Sequence, residues 1–412
     1  MRKQAWLIAV SVVAIALGLA LLLSVHVLAR GIRGAESFTQ AVESASFGTV
    51  WAINTLIMLA MALFIAQVRR EALRVLLTVT VALIIGGLIL LILSPQSAAA
   101  AYNALLTGPL SRLNRWAAWI DDAISLTLVA LAITLVFKAK LFSLGAEGQI
   151  FLGALASGLV ALFVDGLPTA LHVSLAVGAG ALVGTLWGLI PAVLRAYLGA
   201  NELVATLMLN PIAALFYGFV LERIRLPQSG IIASAFFPET ALLPRLIPAT
   251  RVTTAILWAL IAALAVWWLM QRTPFGYALR AMGANPAFAR YGGIRLERVI
   301  LGAMALSGLL SGLAGSYLAL GIYQRLPLAV SAGLTFEAIV AALLARNNPL
   351  AVPAMALLYS YLRVGAPIMQ NDAAVSLEIV RIIQALIILL FTAEGLLSLW
   401  QVRKVRTAWK TS

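Results

Sequence analysis

Apolar runs of about twenty residues recur from one end of this chain to the other, each long enough to cross the hydrocarbon core of a bilayer. No other feature limits the fold so tightly. A backbone in lipid must satisfy its own hydrogen bonds, and continuous apolar runs do so as helices. Hydrophobic residues make up 63% of the 412 positions and charged residues 11%, too few to clothe a soluble domain of this size. The expected fold is therefore an all-α polytopic membrane protein with about 12 transmembrane helices. Spans are read at residues 5–29, 47–67, 75–93, 123–137, 141–164, 170–194, 200–221, 253–270, 299–320, 350–369 and 377–400, with a short one at 333–345. The loop at 94–122 is read as holding a short amphipathic piece around Trp116 and Trp119, aromatics of the kind found at membrane interfaces.

The formal net charge is +14, but the basic residues fall between the spans and not on one hydrophilic face. They therefore report topology, and no nucleic-acid partner is expected. With both termini placed in the cytoplasm, cytoplasmic Lys and Arg exceed those outside by roughly two to one, the expected bias. The first apolar segment follows Arg2 and Lys3 and ends at Val27, Leu28 and Ala29; it is longer than a signal core and is read as a retained helix. There are no cysteines, so disulfides and thiolate metal sites are excluded. Two histidines, His26 and His172, are too scattered for a metal centre; neither metal nor cofactor is expected.

One polar stretch breaks the apolar pattern, residues 272–298, with Arg272, Arg280, Arg290, Arg295 and Arg298 between two spans. It must lie in water. Residues 275–282 have helical spacing; Gly283, Asn285 and Pro286 interrupt it, and Pro286 opens a second short helix over 286–291. That turn sets Phe288 and Tyr291 three apart on one face beside Arg290, an aromatic pair that needs a groove to enter. R-A-M-G-A-N-P-A-F-A-R-Y-G-G-I resembles the coupling-loop signature of the integral membrane permeases of ATP-binding-cassette importers, in the branch for nucleosides and simple sugars. Phe288 and Gly292 replace smaller or different residues of that pattern.

Three further signatures follow the order of the same family. Residues 142–149 read F-S-L-G-A-E-G-Q, similar to the family's F-N-I-G-A-E-G-Q, with Glu147 and Gln149 just inside the membrane. An ionisable group there needs a partner or a wet cavity, so Glu147 either braces the helix end or meets the transported molecule. Residues 199–210 read G-A-N-E-L-V-A-T-L-M-L-N, where Asn201 precedes Glu202, Thr206 and Asn210, the last three four apart on one stripe. Pro211 after Asn210 is expected to kink that helix. Residues 336–349 read F-E-A-I-V-A-A-L-L-A-R-N-N-P, with Glu337 where the family has aspartate. Glu378 and Arg381, three apart, form a pairing device that with Gln384 also matches the family pattern. Gly180, Gly184 and Gly188, and Gly308 and Gly312, have the spacing that lets membrane helices touch backbone to backbone.

No G-x-x-x-x-G-K-[ST] loop occurs, so an energy source must come from another subunit or an ion gradient; the residues alone leave both open. The resemblance implies a permease core of about ten helices at residues 71–412, preceded by an additional two-helix segment at 1–70. It implies no enzymatic activity in this chain, but a cytoplasmic ATP-binding-cassette ATPase docking on the loop through Gly283, Asn285, Pro286, Phe288, Arg290, Tyr291 and Gly293. It further implies a second permease, the same or related, an extracytoplasmic substrate-binding lipoprotein, a multi-pass place among the lipids of the bacterial inner membrane, and nucleosides as cargo. Glu147, Gln149, Asn201, Glu202, Asn210 and Glu337 are the expected substrate-passage residues. The outer loop over 222–251 is read either as part of a platform for the binding protein or as an ordinary extracellular loop with no partner. Ribose-type sugars are the second choice of cargo and branched-chain amino acids the third, while an ion-coupled carrier acting alone is the reading from a different class.

Overall fold

The structure is a computed structural model, and it describes residues 98–225, 232–246, 250–331 and 333–373. The spans expected at 5–29, 47–67, 75–93 and 377–400, the two-helix addition at 1–70 and the Glu378–Arg381 pair lie outside the described residues. The helices in chain order are α1 (Ala98–Thr107), α2 (Leu113–Lys138), α3 (Ala146–Phe163), α4 (Thr169–Leu198), α5 (Glu202–Ile224), α6 (Ala255–Arg272), α7 (Pro274–Ala284), α8 (Pro286–Tyr291), α9 (Leu296–Tyr317), α10 (Leu334–Leu344) and α11 (Val352–Ala373). A π-helical turn, Leu318–Tyr323, extends α9. Among the described residues, extended pairing is confined to isolated bridges, so the all-α expectation holds there.

Seven of these helices are long and apolar enough to cross a membrane. The short span is different: α10 has 11 residues, about 16 Å at the helical rise and so only half of a hydrocarbon core. It does not cross alone. The piece around Trp116 and Trp119 is also not a separate interfacial element, because α2 begins at Leu113 and runs through it. Trp119 is buried, its Nε1 donates to the Leu357 carbonyl at 2.8 Å, and its ring meets Tyr361 edge-on at 5.2 Å. Tertiary partners on α11 thus draw into the helix bundle a segment whose own composition reads as a loop. Both Pro191 and Pro211 sit inside continuous helices, α4 and α5.

The chain divides into two compact units, residues 117–364 and the segments flanking them. In the larger unit, α3, α4 and α9 form the centre, and the small residues decide how. A Cβ on Gly184 would stand 2.5 Å from the Gly308 carbonyl oxygen and 2.7 Å from Gly312 Cα, and one on Gly153 would lie 2.7 Å from the same Gly312 Cα. Three backbones therefore meet with no side chain between them. Lipid tails are as apolar as leucine, so close van der Waals packing must hold these helices together. By contrast α5 turns Val204, Met208, Ile212, Leu215 and Phe219 outward, as a helix facing lipid or another membrane protein does.

At one end of this unit, residues 232–237 run beside 324–328: Ser234 N donates to Leu326 O at 3.0 Å and Phe237 N to Gln324 O at 2.9 Å. Tyr217 Oη ties the same edge to α5 by donating to Pro327 O at 2.7 Å. This is an ordered pad and not a loose loop. In the flanking unit, Arg115 holds Asp372 by two bonds, at 2.8 and 3.0 Å, and Gly108 lies against Ile368 where a Cβ would not fit.

Candidate functional site

The polar loop at 272–298 folds as a helix–turn–helix whose local chemistry is readable bond by bond. Thr273 caps α7 by accepting from Gly276 N at 3.1 Å, and Pro274 takes the first turn, where no N–H is needed. Asn285 does the same for α8, its Oδ1 accepting from Phe288 N at 3.1 Å, with Pro286 next in line. The C-terminus of α8 closes through Gly293 at φ +81, a left-handed conformation that favours glycine, and through Ile294 N to Ala289 O at 3.0 Å.

Packing then fixes which side faces out. Leu279, Met282, Gly283 and Ala289 are buried, and Gly283 lies so close to the Lys138 carbonyl at the end of α2 that a side chain there has no room. Tyr291 is 94% exposed and Phe288 69%. Arg290 reaches Glu297 at 3.7 Å in an exposed pair, a contact worth well under ~1 kcal/mol that leaves the guanidinium available. Gly283, Asn285, Pro286 and Gly293 therefore shape the loop, whereas Phe288, Arg290 and Tyr291 are its free face.

The expected passage residues separate into two groups. The first is a zipper. Residues 141–145 are not helical, so the start of α3 has unpaired N–H groups, which lipid cannot satisfy. The α5 stripe supplies the partners: Glu202 Oε1 accepts from Phe142 N at 3.3 Å, Thr206 Oγ1 from Leu144 N at 3.1 Å, and Asn210 Oδ1 from Gly148 N at 3.0 Å. Asn210 Nδ2 also donates to Leu144 O at 2.8 Å. Glu202 is further held by Arg195 at 3.1 Å, and Asn201 caps α5 through Leu203 N at 3.0 Å. Each of these four side chains has a partner in the backbone it braces. Gln149 stands just beyond, 2% exposed, its Oε1 without a hydrogen-bond partner among the described residues.

The second group lies around the start of α10. Glu147 accepts from Gly333 N and Thr335 N, both at 3.4 Å, and so caps α10 from α3. Glu337 lies 2.6 Å from Arg363 Nη1, and Asp122 lies 3.2 Å from the same nitrogen. These are ion pairs by distance whose angles fall short of directed hydrogen bonds. Beside them, Tyr317 Oη donates to Asp121 Oδ1 at 3.1 Å. Sequence reasoning placed Arg363 inside a span without a role and ended a loop at Asp122. A lone arginine in an apolar run demands carboxylates from other spans, and that signal would have led to Asp122 and Glu337.

Similarity to known proteins runs through both regions. A profile described as branched-chain amino acid transport system / permease component matches residues 116–392. The chain is 30% identical to the guanosine ABC transporter permease protein NupP of Bacillus subtilis over 321 residues, 76% of this chain and 92% of that protein. It is 31% identical to the nucleoside ABC transporter permease protein NupB of Lactococcus lactis, covering 64% of this chain and 75% of the other. Identity to the glucose ABC transporter permease protein TsgB13 of Haloferax volcanii is 34%, over 77% and 86% of the two chains. No solved structure matches.

Proposed function

From the premise that this chain belongs to the family of branched-chain amino acid transport system permease components, we propose that it is the membrane permease of an ATP-binding-cassette importer for nucleosides. The observation that carries the cargo is that the guanosine relative aligns along nearly its whole length. A sugar is the second reading, favoured by the comparable identity to the glucose permease.

The exposed face of α8 is the seat of a cytoplasmic ATPase. Phe288 and Tyr291 enter a groove of that subunit, and Arg290 meets acidic groups at its rim. Because Gly283 is pressed on the end of α2, and α7 continues directly from α6, a push on α8 passes into the bundle through packed backbone. A second permease covers an outward apolar face, a binding lipoprotein docks on the 232–237 and 324–328 pad, and both chain termini lie in the cytoplasm of a bacterial cell. Residues 1–70 are an addition to the core. Glu147, Gln149 and Glu337 belong to the passage, while Asn201, Glu202 and Asn210 hold its wall.

Affinity purification of the tagged chain from its own membranes tests the reading. An ATPase should accompany it, be lost with the double substitution of Arg290→Ala and Tyr291→Ala, and drive guanosine uptake when the complex is placed in liposomes with its binding protein. Recovery of the chain alone, with no ATP hydrolysis and no uptake, would remove the importer reading.

A further inference from the structure

The ionic cluster joining α2, α10 and α11 is larger than pairing requires. Asp122 sits within α2 and Arg363 near the middle of α11, and Glu337 comes from a helix too short to cross on its own. Breaking an apolar bundle at this point with three charged side chains is costly unless the place has a use. Three buried polar atoms of this cluster and of the turn that leads into α10 also have no hydrogen-bond partner among the described residues, Asp122 Oδ2, Ser331 Oγ and Thr335 Oγ1, while Glu337 Oε2 and Arg363 Nη1 are paired with each other at 2.6 Å. Ser331 and Thr335 are only 2% and 1% exposed. A buried hydroxyl without a partner destabilises a fold, so its presence here calls for something that binds it. The π-helical turn after α9 ends at Tyr323, which with Tyr359 stands within electrostatic reach of Arg363 and Asp122. Such turns occur frequently at functional sites.

We propose that this cluster is a cargo-recognition site within the permease, with Asp122, Glu337, Ser331 and Thr335 binding an uncharged molecule rich in N–H and O–H donors and excluding its phosphorylated form. The proposal rests on the nucleoside reading above and adds the selectivity. Asp122 and Glu337 face Arg363, Glu147 lies within electrostatic reach of Glu337, and Asp121 lies within reach of Asp122 and Arg251. Acceptors and negative charge therefore prevail. Ribose hydroxyls and the ring or amino N–H groups of a base give such a site the donors it lacks. A phosphate dianion brings more acceptors and meets repulsion that low dielectric makes stronger. Arg363 is the positioning residue, its Nη1 drawing both acids to one point.

The test uses the full chain with its ATPase in lipid nanodiscs, without the binding protein, and radiolabelled guanosine as probe with guanosine 5′-monophosphate as competitor. Saturable guanosine binding is expected, not displaced by the monophosphate. Asp122→Asn and Glu337→Gln should each weaken it about tenfold, the scale of one hydrogen bond to a charged group. If either variant fails to fold, the pair Ser331→Ala with Thr335→Ala decides, since these hydroxyls make no hydrogen bond among the described residues. Their loss should weaken guanosine binding with an unchanged or higher melting temperature. Guanosine binding equal to wild type in the folded variants overturns the proposal, as does competition by the monophosphate. Absence of guanosine binding to the permease while the complete importer takes it up overturns the site but leaves the nucleoside reading standing. Failure of the complete, ATP-hydrolysing importer to take up guanosine removes both.

Discussion

Two polar residues that look alike in the sequence have opposite expected phenotypes. Asn210 gives both ends of its amide to the backbone at the start of α3, to Gly148 N and Leu144 O. Asn210→Ala leaves a donor and an acceptor unpaired in a partly buried place, at a cost of about 1–3 kcal/mol. The expected outcome is a lower melting temperature of the purified complex, with uptake per folded molecule near that of wild type; a large loss of uptake at unchanged melting would place Asn210 on the cargo route instead. Tyr291 is 94% exposed, so its ring packs against little among the described residues. Tyr291→Ala should leave melting unchanged and reduce ATPase co-purification several-fold, because an aromatic anchor at the centre of an interface is worth about 2 kcal/mol or more. Sequence spacing placed 202, 206 and 210 on one stripe facing protein, as they are, but could not say that the partner would be backbone. That depends on residues 141–145 leaving the helix, and no side-chain pattern announces it.

The central helices are where sequence and structure agree most closely, and the reason is physical. Gly180, Gly184, Gly308 and Gly312 are spaced four apart because a helix shows one face every four residues, so the repeat itself encodes the contact. Gly184→Leu should abolish the assembled complex, since even a Cβ would stand 2.5 Å from the Gly308 carbonyl oxygen. Gly178 has open space where a Cβ would be, and Gly178→Leu should leave assembly and melting nearly unchanged. Size-exclusion profiles and melting of the two variants check the contrast. The caps of α7 and α8 were legible for a similar reason, because Thr-Pro and Asn-Pro write a helix start in adjacent letters. The beginning of α2 was not. Its first turns carry Asn114, Arg115, Asp121 and Asp122, which read as loop until Asp122 finds Arg363 and Trp119 finds Leu357 O on a segment far along the chain.

At the scale of the whole molecule, the question is what drives the transport. Carboxylates inside a membrane suit two engines. They are proton carriers in a transporter that works alone, or fixed polar groups in one that is moved from outside. Asp122 and Glu337 are both committed to one guanidinium, and Glu147 to the first N–H groups of α10. A proton carrier must give up its partner in each cycle, and here protonating either acid would break one of the two ion pairs that hold Arg363 in an apolar bundle. The free aromatic face of α8 tells the same way, since it has no use in a carrier without a cytoplasmic partner. We therefore expect guanosine uptake into liposomes holding the complete importer to require ATP on the ATPase side, to fall to background when the ATPase is omitted, and to be unchanged when an uncoupler collapses the proton gradient. Uptake that persists without ATP and stops with the uncoupler would instead make the Asp122–Arg363–Glu337 cluster a proton pathway, and Glu337→Gln would then abolish transport at every guanosine concentration and not merely weaken binding.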